Sequence, residues 1–426
     1  MALPISIPYT FANATTSIPL SQLDTDISTI YATVNGIGNG TVALANVVIT
    51  GGIISNVSGL STSSIANGTS NVSIATANGS VTVATAGNTA VTVDTSQNMT
   101  TVGTVAMGSS FKRNRIINGN MVISQYNGTS SVTPTASTYN MDRWTAQMTQ
   151  ASKFSVQQVA VSALPGFTYS QNFTVVTPYT VGAGDYFGTE QRIEGYNIAD
   201  LAWGTANAKS VTLSFWVYAN NTGTYCGSLY TSTGSYVYNY TVSAANTWQY
   251  VTVTIPGSTA YALGSTTNST GMNVRWTFAA GSNFQTTANS WVAGNYAVTS
   301  GAFNWIGTTS ATLYITGVQL EVGTKATPYE MQIYSDQLAQ CQRYYFNQGQ
   351  QLYNSFYALG STGYTQLGRT YPVTMRATPT ITLLNTAYSA WSLSAVVVSL
   401  NDFALSGAAS GGNGYIAYNF TASAEL

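Results

Sequence analysis

The sequence predicts a mainly β fold assembled as an elongated homotrimeric fibre. Only 6% of the 426 residues are charged, against about 25% in ordinary soluble domains. Thr, Ser, Asn, Gly and Tyr must therefore supply the polar surface, and these residues favour strands and turns over helices. Two further patterns, a short apolar heptad segment and a run of short Val/Ile strands, precede a longer region of globular character.

The composition excludes several classes of function. Twelve basic and 13 acidic residues give a net charge of −1, which cannot supply the counterion release that drives nucleic-acid binding. The absence of histidine excludes a Ser-His-Asp or Cys-His relay and a histidine-ligated metal. Cys226 and Cys341 form at most one disulfide, and we expect two reduced cysteines packed as small hydrophobes. We expect no cofactor.

The sequence contains no membrane or export signal. No apolar run approaches the roughly 20 residues of a membrane span. The N-terminal residues lack the basic and apolar segments of a signal peptide. We therefore expect synthesis in the host cytoplasm, no membrane insertion, and an extracellular role only as part of a particle released by lysis.

Residues 20–38 predict a short coiled coil. Their apolar residues are spaced 3-4-3-4-3, which is the seam of a heptad repeat. β-branched residues at both seam positions favour trimers over dimers. Because the segment has fewer than three heptads, an amphipathic helix packed on its own domain is the alternative. The predicted trimerisation residues are Leu20, Leu23, Ile27, Ile30, Val34 and Ile37.

Residues 39–110 predict a β-repeat shaft. Short Val/Ile pairs at 72–74, 81–83 and 91–93 recur at spacings of 9 and 10, with turn-forming residues between them. Strands this short cannot bury a face within one chain, so we expect them to wind or stack against sister chains. A disordered Ser/Thr/Gly linker is the alternative.

Aromatic and charged residues return at position 111 and predict a jelly-roll β-sandwich over residues 111–334. In residues 210–219 both faces are largely apolar, which indicates a central strand covered on both sides. Residues 335–426 predict a helix capped by Ser335, followed by a small C-terminal β domain. The predicted strands are 115–123, 153–161, 211–218, 235–242, 248–255, 272–278, 312–322, 352–359, 364–369, 380–384, 390–400 and 414–420.

Several motifs, taken in order, resemble the carbohydrate-binding-like jelly roll of tailed-bacteriophage fibre proteins. The similarity covers roughly residues 111–346. Residues 8–12 look like a virion-attachment peptide, which we place in the segment 1–19, and residues 371–379 look like the terminal unit of such fibres. The motifs are 114–119 (NRIING), 141–144 (MDRW), 191–195 (QRIEG), 211–217 (VTLSFWV), 317–323 (GVQLEVG), 326–330 (ATPYE) and 341–345 (CQRYY).

The resemblance implies a structural, homotrimeric virion fibre of a bacteriophage. Its N-terminus would dock on a tail or baseplate protein, and its C-terminal β domains would bind a host-surface glycan or protein. A tail fibre is favoured over a head fibre. Related jelly rolls often hold a structural calcium ion, for which Asp142 or Asp185 would supply oxygens, although the sequence shows no clustered set of ligands.

Sugar recognition combines aromatic rings, which stack on apolar sugar faces, with amides and hydroxyls that hydrogen-bond to sugar hydroxyls. The chain has 29 Tyr and 8 Trp. For any single aromatic, packing in a core or in a subunit interface is the alternative. The predicted receptor-binding residues are Tyr353, Tyr357, Tyr364, Trp391 and Tyr415 in the C-terminal domain, and Tyr236, Tyr238 and Tyr240 along one strand.

Catalysis is not expected, and a glycan-degrading tailspike with paired carboxylates is the alternative function. Glu190 and Glu194 would share one face of a strand, but Arg192 would lie between them and favours a structural ion pair. Glu321 is interpreted as a structural partner of Lys325. The basic cluster at 112–115 is interpreted as a hinge or an inter-subunit contact rather than a phosphate site.

Overall fold

The computed structural model describes residues 17, 19–38, 64–67, 69–74, 78–96, 99–101, 112–161, 163–358, 364–409 and 412–426. Strands dominate these residues, as predicted, and form five antiparallel sheets. The chain divides into two compact units, Met1–Val105 and Ala106–Leu426. Apart from Ser17 and Pro19, the predicted attachment peptide lies outside the described residues.

The described part of the first unit contains a helix and a five-stranded sheet. Helix α1 spans Leu20–Gly38, so the heptad segment is helical as predicted. The sheet is a meander whose strands pair in chain order, and its strands confirm the Val/Ile pattern. These strands are β1 (Ser64–Asn67), β2 (Ser70–Ile74), β3 (Val81–Thr85), β4 (Asn88–Val93) and β5 (Met99–Thr101).

One face of this sheet collects its large apolar side chains. Val72 pairs with Val83, which pairs with Val91, so the three form one row across the strands. Val93 pairs with Met99 in the neighbouring row. Val72 and Met99 remain exposed. Val83, Val91 and Val93 are half-buried, so the described residues cover this apolar face only in part.

The second unit begins with a sandwich of a seven-stranded and a five-stranded sheet. The strand orders are β16-β13-β12-β15-β10-β7-β6 and β14-β11-β17-β9-β8, so the chain crosses repeatedly between the sheets, as in a jelly roll. The strands are β6 (Thr138–Met141), β7 (Trp144–Met148), β8 (Phe154–Ala160), β9 (Tyr169–Val175), β10 (Tyr186–Glu194), β11 (Val211–Ala219), β12 (Gly223–Tyr230), β13 (Gly234–Val242), β14 (Gln249–Ile255), β15 (Thr270–Ala280), β16 (Trp291–Ala293) and β17 (Thr312–Val322).

Aromatic side chains from both sheets form the sandwich core. Phe215 on β11 meets Trp276 on β15 edge to face, with 5.4 Å between ring centroids. Phe173 on β9 meets Phe278 on β15 at 4.6 Å. All four rings are buried. This packing confirms the predicted sandwich. Both cysteines are free and buried, as expected.

The predicted strand at 115–123 is wrong, because this segment is a series of turns. Asn118 and Met121 have φ of 57° and 60°, which breaks an extended strand. The Asn118 side chain accepts a hydrogen bond from the Ile123 amide and donates one to the Ile123 carbonyl. These side-chain bonds to the backbone replace the ladder bonds of a strand.

A helix and a small two-sheet domain complete the second unit. Helix α2 (Tyr334–Gln342) begins one residue before the predicted helix at 335–345 and ends three residues before its predicted end, because Tyr345 lies in a strand. Its N-cap is Ile333 instead of Ser335. The strand orders are β18-β23-β20 and β19-β22-β21. The strands are β18 (Tyr345–Ala358), β19 (Tyr364–Thr370), β20 (Thr380–Ser389), β21 (Trp391–Val398), β22 (Asp402–Ala409) and β23 (Gly412–Ser423).

Phe403 on β22 and Phe420 on β23 pack at 4.6 Å between the two small sheets. Arginines then hold the end of the chain against the sandwich. Arg192 donates to the Leu426 carbonyl at 2.6 Å, and Arg143 forms an ion pair with Glu425. The described helices lack the combination of length and apolar character that a membrane crossing requires.

Candidate functional site

Three of the predicted receptor-binding tyrosines share the outer face of the sheet β18-β23-β20. Tyr353 and Tyr357 lie four residues apart on β18, so they project from the same face. Tyr415 on β23 stacks on Tyr353, with 5.2 Å between ring centroids and 18° between ring planes. Tyr353 and Tyr357 are 64% and 68% exposed. We call Tyr353, Tyr357 and Tyr415 the C-terminal platform.

Amide side chains lie on the same sheet as the platform. The Asn385 side chain donates to the Asn419 side chain at 3.1 Å. Gln351 donates to the Asn385 carbonyl at 3.4 Å, and Asn413 pairs in register with Tyr357. The three strands of this sheet contain no Lys, Arg, Asp or Glu. The surface therefore presents aromatic rings and neutral hydrogen-bonding groups, which suit an uncharged polyhydroxylated ligand.

The other two C-terminal candidates do not join the platform. Trp391 is buried and packs its ring over Gly407 in the small core, so the prediction that it faces a receptor is wrong. The reason is that Gly407 has no side chain and leaves room for the indole. The Tyr364 side chain lies outside the described residues.

The predicted tyrosine stripe on β13 points inward. Tyr236, Tyr238 and Tyr240 share one face, as the alternation predicts, but all three are buried in the sandwich core. Tyr240 meets Phe215 of the opposite sheet at 5.2 Å, and the Tyr238 hydroxyl donates to the Arg275 carbonyl at 2.9 Å. An internal partner for the hydroxyl lets a phenol pack inside the core. This position removes the stripe from the candidate site.

A second aromatic surface lies on the outside of the five-stranded sheet. The expectation that both faces of β11 are covered is confirmed at Thr212 and Ser214, which are buried on this face, but not at Trp216 and Tyr218, which are half-buried. The aromatics of this face cover one another instead of lying under a further layer, and ring centroids are 5.1 Å apart in two pairs, Trp216–Tyr250 and Tyr218–Tyr314. Tyr250 remains 44% exposed. We call this surface the sandwich aromatic face: Trp216, Tyr218, Trp248, Tyr250 and Tyr314.

The sequence contains a signal for this second surface. Trp216 and Tyr218 alternate along β11, and Trp248 and Tyr250 alternate where β14 begins. Two neighbouring antiparallel strands with the same alternation place their aromatics on one face. Which face is external cannot be read from either strand alone.

The buried carboxylates in the sandwich are paired with arginines. Glu190 accepts from Arg192 at 2.8 Å, which confirms the predicted structural ion pair, and from Arg275 at 3.0 Å. Burial alone would raise the pKa of Glu190, but the charges of Arg275 and Arg192 outweigh burial and hold this pKa below its ordinary value. Glu194 is buried too and accepts two bonds from Arg343, at 2.7 and 3.1 Å.

Glu321 does not pair with Lys325, which corrects that interpretation. Its carboxylate accepts from the Thr327 amide at 2.8 Å and the Thr327 hydroxyl at 2.7 Å, and Arg113 lies 3.9 Å away. Because Glu321 is buried and Lys325 is exposed, the nearby threonine satisfies the carboxylate instead.

The predicted calcium ligands do not fit a calcium ion. Asp142 accepts from the backbone and the side chain of Gln125, and burial raises its pKa to about 6. Asp185 accepts from Thr149, Gln150 and Tyr179. Calcium binds oxygen acceptors, whereas the groups around these carboxylates are hydrogen-bond donors. Within the described residues, no three His, Cys, Asp or Glu side chains cluster as metal ligands.

No family model matches the sequence, and no curated protein matches it significantly. Three solved structures show partial similarity. The tailspike protein 4 enzymatically active domain of bacteriophage CBA120 has 11% identity and a TM-score of 0.28, and the match covers 50% of this chain but only 22% of that domain.

The second solved structure is a putative sugar-binding protein from Bacteroides thetaiotaomicron. It has 10% identity and a TM-score of 0.27, over 49% of this chain and 100% of its own. The third is a family 11 carbohydrate-binding module of Clostridium thermocellum, with 12% identity and a TM-score of 0.24, over 47% of this chain and 98% of its own. At these TM-scores, the three similarities decide neither the fold nor the function of this chain.

Proposed function

We propose that the chain is the subunit of a homotrimeric bacteriophage tail fibre. It anchors to the virion through residues 1–19 and binds a host-surface glycan through its C-terminal β domain. The observation that carries the binding function is the C-terminal platform. Exposed phenol rings beside amides, on a sheet without charge, match the apolar faces and the hydroxyl groups of sugars.

Helix α1 supports the trimeric state. Its seam residues from Leu20 to Val34 are 42% to 75% exposed, so the described residues of the first unit do not bury the seam. Exposed apolar residues at heptad spacing favour cover by sister helices over packing on the chain's own domain. The side chain of Ile37 lies outside the described residues.

We propose a binding protein rather than a glycan-degrading tailspike. A glycosidase acid needs a carboxyl group with a raised pKa beside an open substrate groove. Glu190 is buried, bonded to two arginines and has a lowered pKa. Incubation with host polysaccharide is expected to release no new reducing ends. Cleavage that Glu190→Gln or Glu194→Gln abolishes would establish the alternative.

The glycan-binding proposal is tested by removing the platform rings. The double variant Tyr353→Ala/Tyr357→Ala is expected to weaken binding to host cells and to isolated host glycan by about 30-fold, because the two rings together are expected to contribute about 2 kcal/mol. Tyr334→Ala removes an equally exposed tyrosine from outside the platform and serves as the control. Unchanged binding by the double variant would contradict the proposal, and Tyr250→Ala would then test the sandwich aromatic face.

A further inference from the structure

The second unit contains a cavity with a lining unlike that of the platform. It has a volume of about 340 Å³ and lies between the turn segment after residue 111, the 3₁₀ helix Gly195–Asn197 and helix α2. Ligand sites in proteins span about 300–1,000 Å³, so this cavity matches one sugar residue rather than a chain of several.

The lining is cationic. Lys112, Arg115 and Arg343 contribute to it, from a chain with only 12 basic residues, and no Asp or Glu among the described residues does. Arg115 donates to Asp200 at 2.9 Å, and Arg343 donates to Glu194 at 2.7 Å. These carboxylates, which are not part of the lining, fix the position of both guanidinium groups.

A cationic donor in this lining remains available. Lys112 forms no ion pair with any residue that the structure describes. Lys112 is also exposed, so its ammonium group is available to a ligand at the cavity. A cationic donor that no described carboxylate neutralises is suited to an anion.

Neutral groups complete the lining. The Gln340 side-chain amide donates a hydrogen bond to the Gln332 side-chain oxygen at 3.0 Å. The N–H groups of the Gln332 side chain take no part in this bond. Tyr196 is exposed at the same cavity and offers a ring face and a hydroxyl. A ring, an amide, the Lys112 ammonium and two guanidinium groups held in place by carboxylates together match a sugar that bears a negative charge.

We infer that this cavity binds an anionic sugar residue, one that carries a carboxylate or a phosphate group. The inference rests on the proposed glycan-binding function and extends it. The platform sheet has no charge and would contact neutral sugars, whereas the cavity would select for charged ones. This inference departs from the sequence interpretation of the 112–115 cluster as a hinge or an inter-subunit contact. Arg113 and Arg115 of this cluster bond to residues of their own chain.

The test uses the full chain, three sugar probes (glucuronate, glucose 6-phosphate and glucose) and inorganic phosphate as a competitor. Saturation-transfer NMR titrations are expected to show binding of an anionic probe at least about tenfold tighter than binding of glucose, with an affinity that falls as salt rises. Lys112→Gln is expected to weaken binding of the anionic probe by about tenfold. Lys325→Gln removes an exposed lysine from outside the lining and is expected to have no effect. Gln340→Glu places a negative charge in the lining, which repels the anionic probe, and is expected to abolish this binding.

Each outcome decides the inference. Preference for glucuronate identifies the carboxylate class, and preference for glucose 6-phosphate identifies the phosphate class. Equal binding of glucose, or anionic binding that Lys112→Gln and Gln340→Glu leave unchanged, would overturn the inference. Inorganic phosphate that displaces glucose 6-phosphate with an equal affinity would overturn it as well. The platform variant separates the two proposals. If the platform variant loses binding to host glycan while Lys112→Gln and Gln340→Glu keep it, the proposed function stands and the cavity inference fails.

Discussion

Arg143 shows how this chain uses one of its few charges. Its side chain is only 1% exposed, and its guanidinium lies 3.6 Å from the centre of the Tyr344 ring. It forms an ion pair with Glu425 and donates to the Arg192 carbonyl. The contacts with Tyr344 and Glu425 join the sandwich to the C-terminal part of the chain, and the bond to Arg192 holds Arg143 against strand β10 of the sandwich. The residue therefore serves cohesion within the second unit.

Arg143→Gln is expected to lower the free energy of unfolding by about 3–5 kcal/mol, because it leaves Glu425 buried without its partner. Lys209→Gln is the control, since Lys209 lies 3.9 Å from the half-exposed Asp200 and such pairs contribute at most about 1 kcal/mol. Chemical denaturation at fixed protein concentration measures both. Equal losses in the two variants would contradict a cohesive role for Arg143.

Gly407 is the residue that admits Trp391 to the small core. The Cβ of an alanine at this position would lie 1.9 Å from the Trp391 ring. Gly407→Ala is therefore expected to destabilise the C-terminal domain by about 1–3 kcal/mol through overpacking. Gly368→Ala, on the strand paired with β22, meets no atom within 4 Å and is expected to be nearly neutral. Thermal unfolding followed by near-ultraviolet circular dichroism compares the two, and a neutral Gly407→Ala would show that the indole does not pack there.

The hydrogen bonds to the Asp185 carboxylate lead us to expect that the stability of the protein falls at acidic pH. The hydrogen bond from Gln150, supported by those from Gly182, Thr149 and Tyr179, lowers its pKa from 3.8 to about 2. A lowered pKa in the folded state stabilises the protein above the unfolded pKa, and this stabilisation is lost as pH falls through the folded pKa. Asp185→Asn is expected to lack the loss of stability between about pH 4 and 2 that the unmodified chain shows.

A ¹³C NMR titration of the Asp185 carboxyl group measures this pKa directly. The comparison with the asparagine variant is needed because Asp142 has the opposite shift. Its pKa is raised to about 6, so its contribution to stability is present below pH 4 and is lost as pH rises through 6. A midpoint near 4 for Asp185 would contradict the four hydrogen bonds at its carboxylate.

Among the elements, strands with clear alternation could be predicted from the sequence, and β10 could not. β11, β13 and β17 lie within a residue of their predicted bounds. β10 carries Glu190 and Glu194 among its buried residues, with Arg192 half-buried between them. The local spacing indicates the Glu190–Arg192 pair, but the other partners, Arg275 and Arg343, lie 85 and 149 residues away in sequence and no local pattern indicates them.

The aromatic strands show the same limit for the candidate site. Alternation correctly places Tyr236, Tyr238 and Tyr240 on one face of β13, but the layer against which that face packs comes from distant residues such as Phe215. On β18 the same reasoning places Tyr353 and Tyr357 together on a face that is exposed. Sequence periodicity therefore predicts which residues act together, whereas tertiary packing decides whether they face solvent.

The seam of helix α1 is testable as an element. Ile27→Asp places a charge in the predicted trimer interface, where each buried isoleucine contributes about 1.5–3 kcal/mol. We expect the variant to shift assembly toward monomers in sedimentation velocity. Ser28→Asp adds the same charge at an exposed position outside the seam and is expected to leave assembly unchanged. Equal effects of both substitutions would contradict a coiled coil along this seam.

At the scale of the whole molecule, the chain exposes apolar side chains in several separate places. The α1 seam and the sheet β1–β5 are two, and the edge strands β20 and β21 are a third, with Leu384, Tyr388 and Val397 exposed. Strands β20 and β21 carry no charged residue. Long uncharged edge strands readily pair with another chain unless they are covered. These surfaces agree with a chain that is complete only in an assembly of copies.

Light scattering coupled to size-exclusion chromatography measures the mass of the full chain in solution and so distinguishes a trimer from a monomer. We expect a single species of three times the 44.9 kDa chain mass. A monodisperse particle with the mass of one chain, stable on dilution, would contradict it.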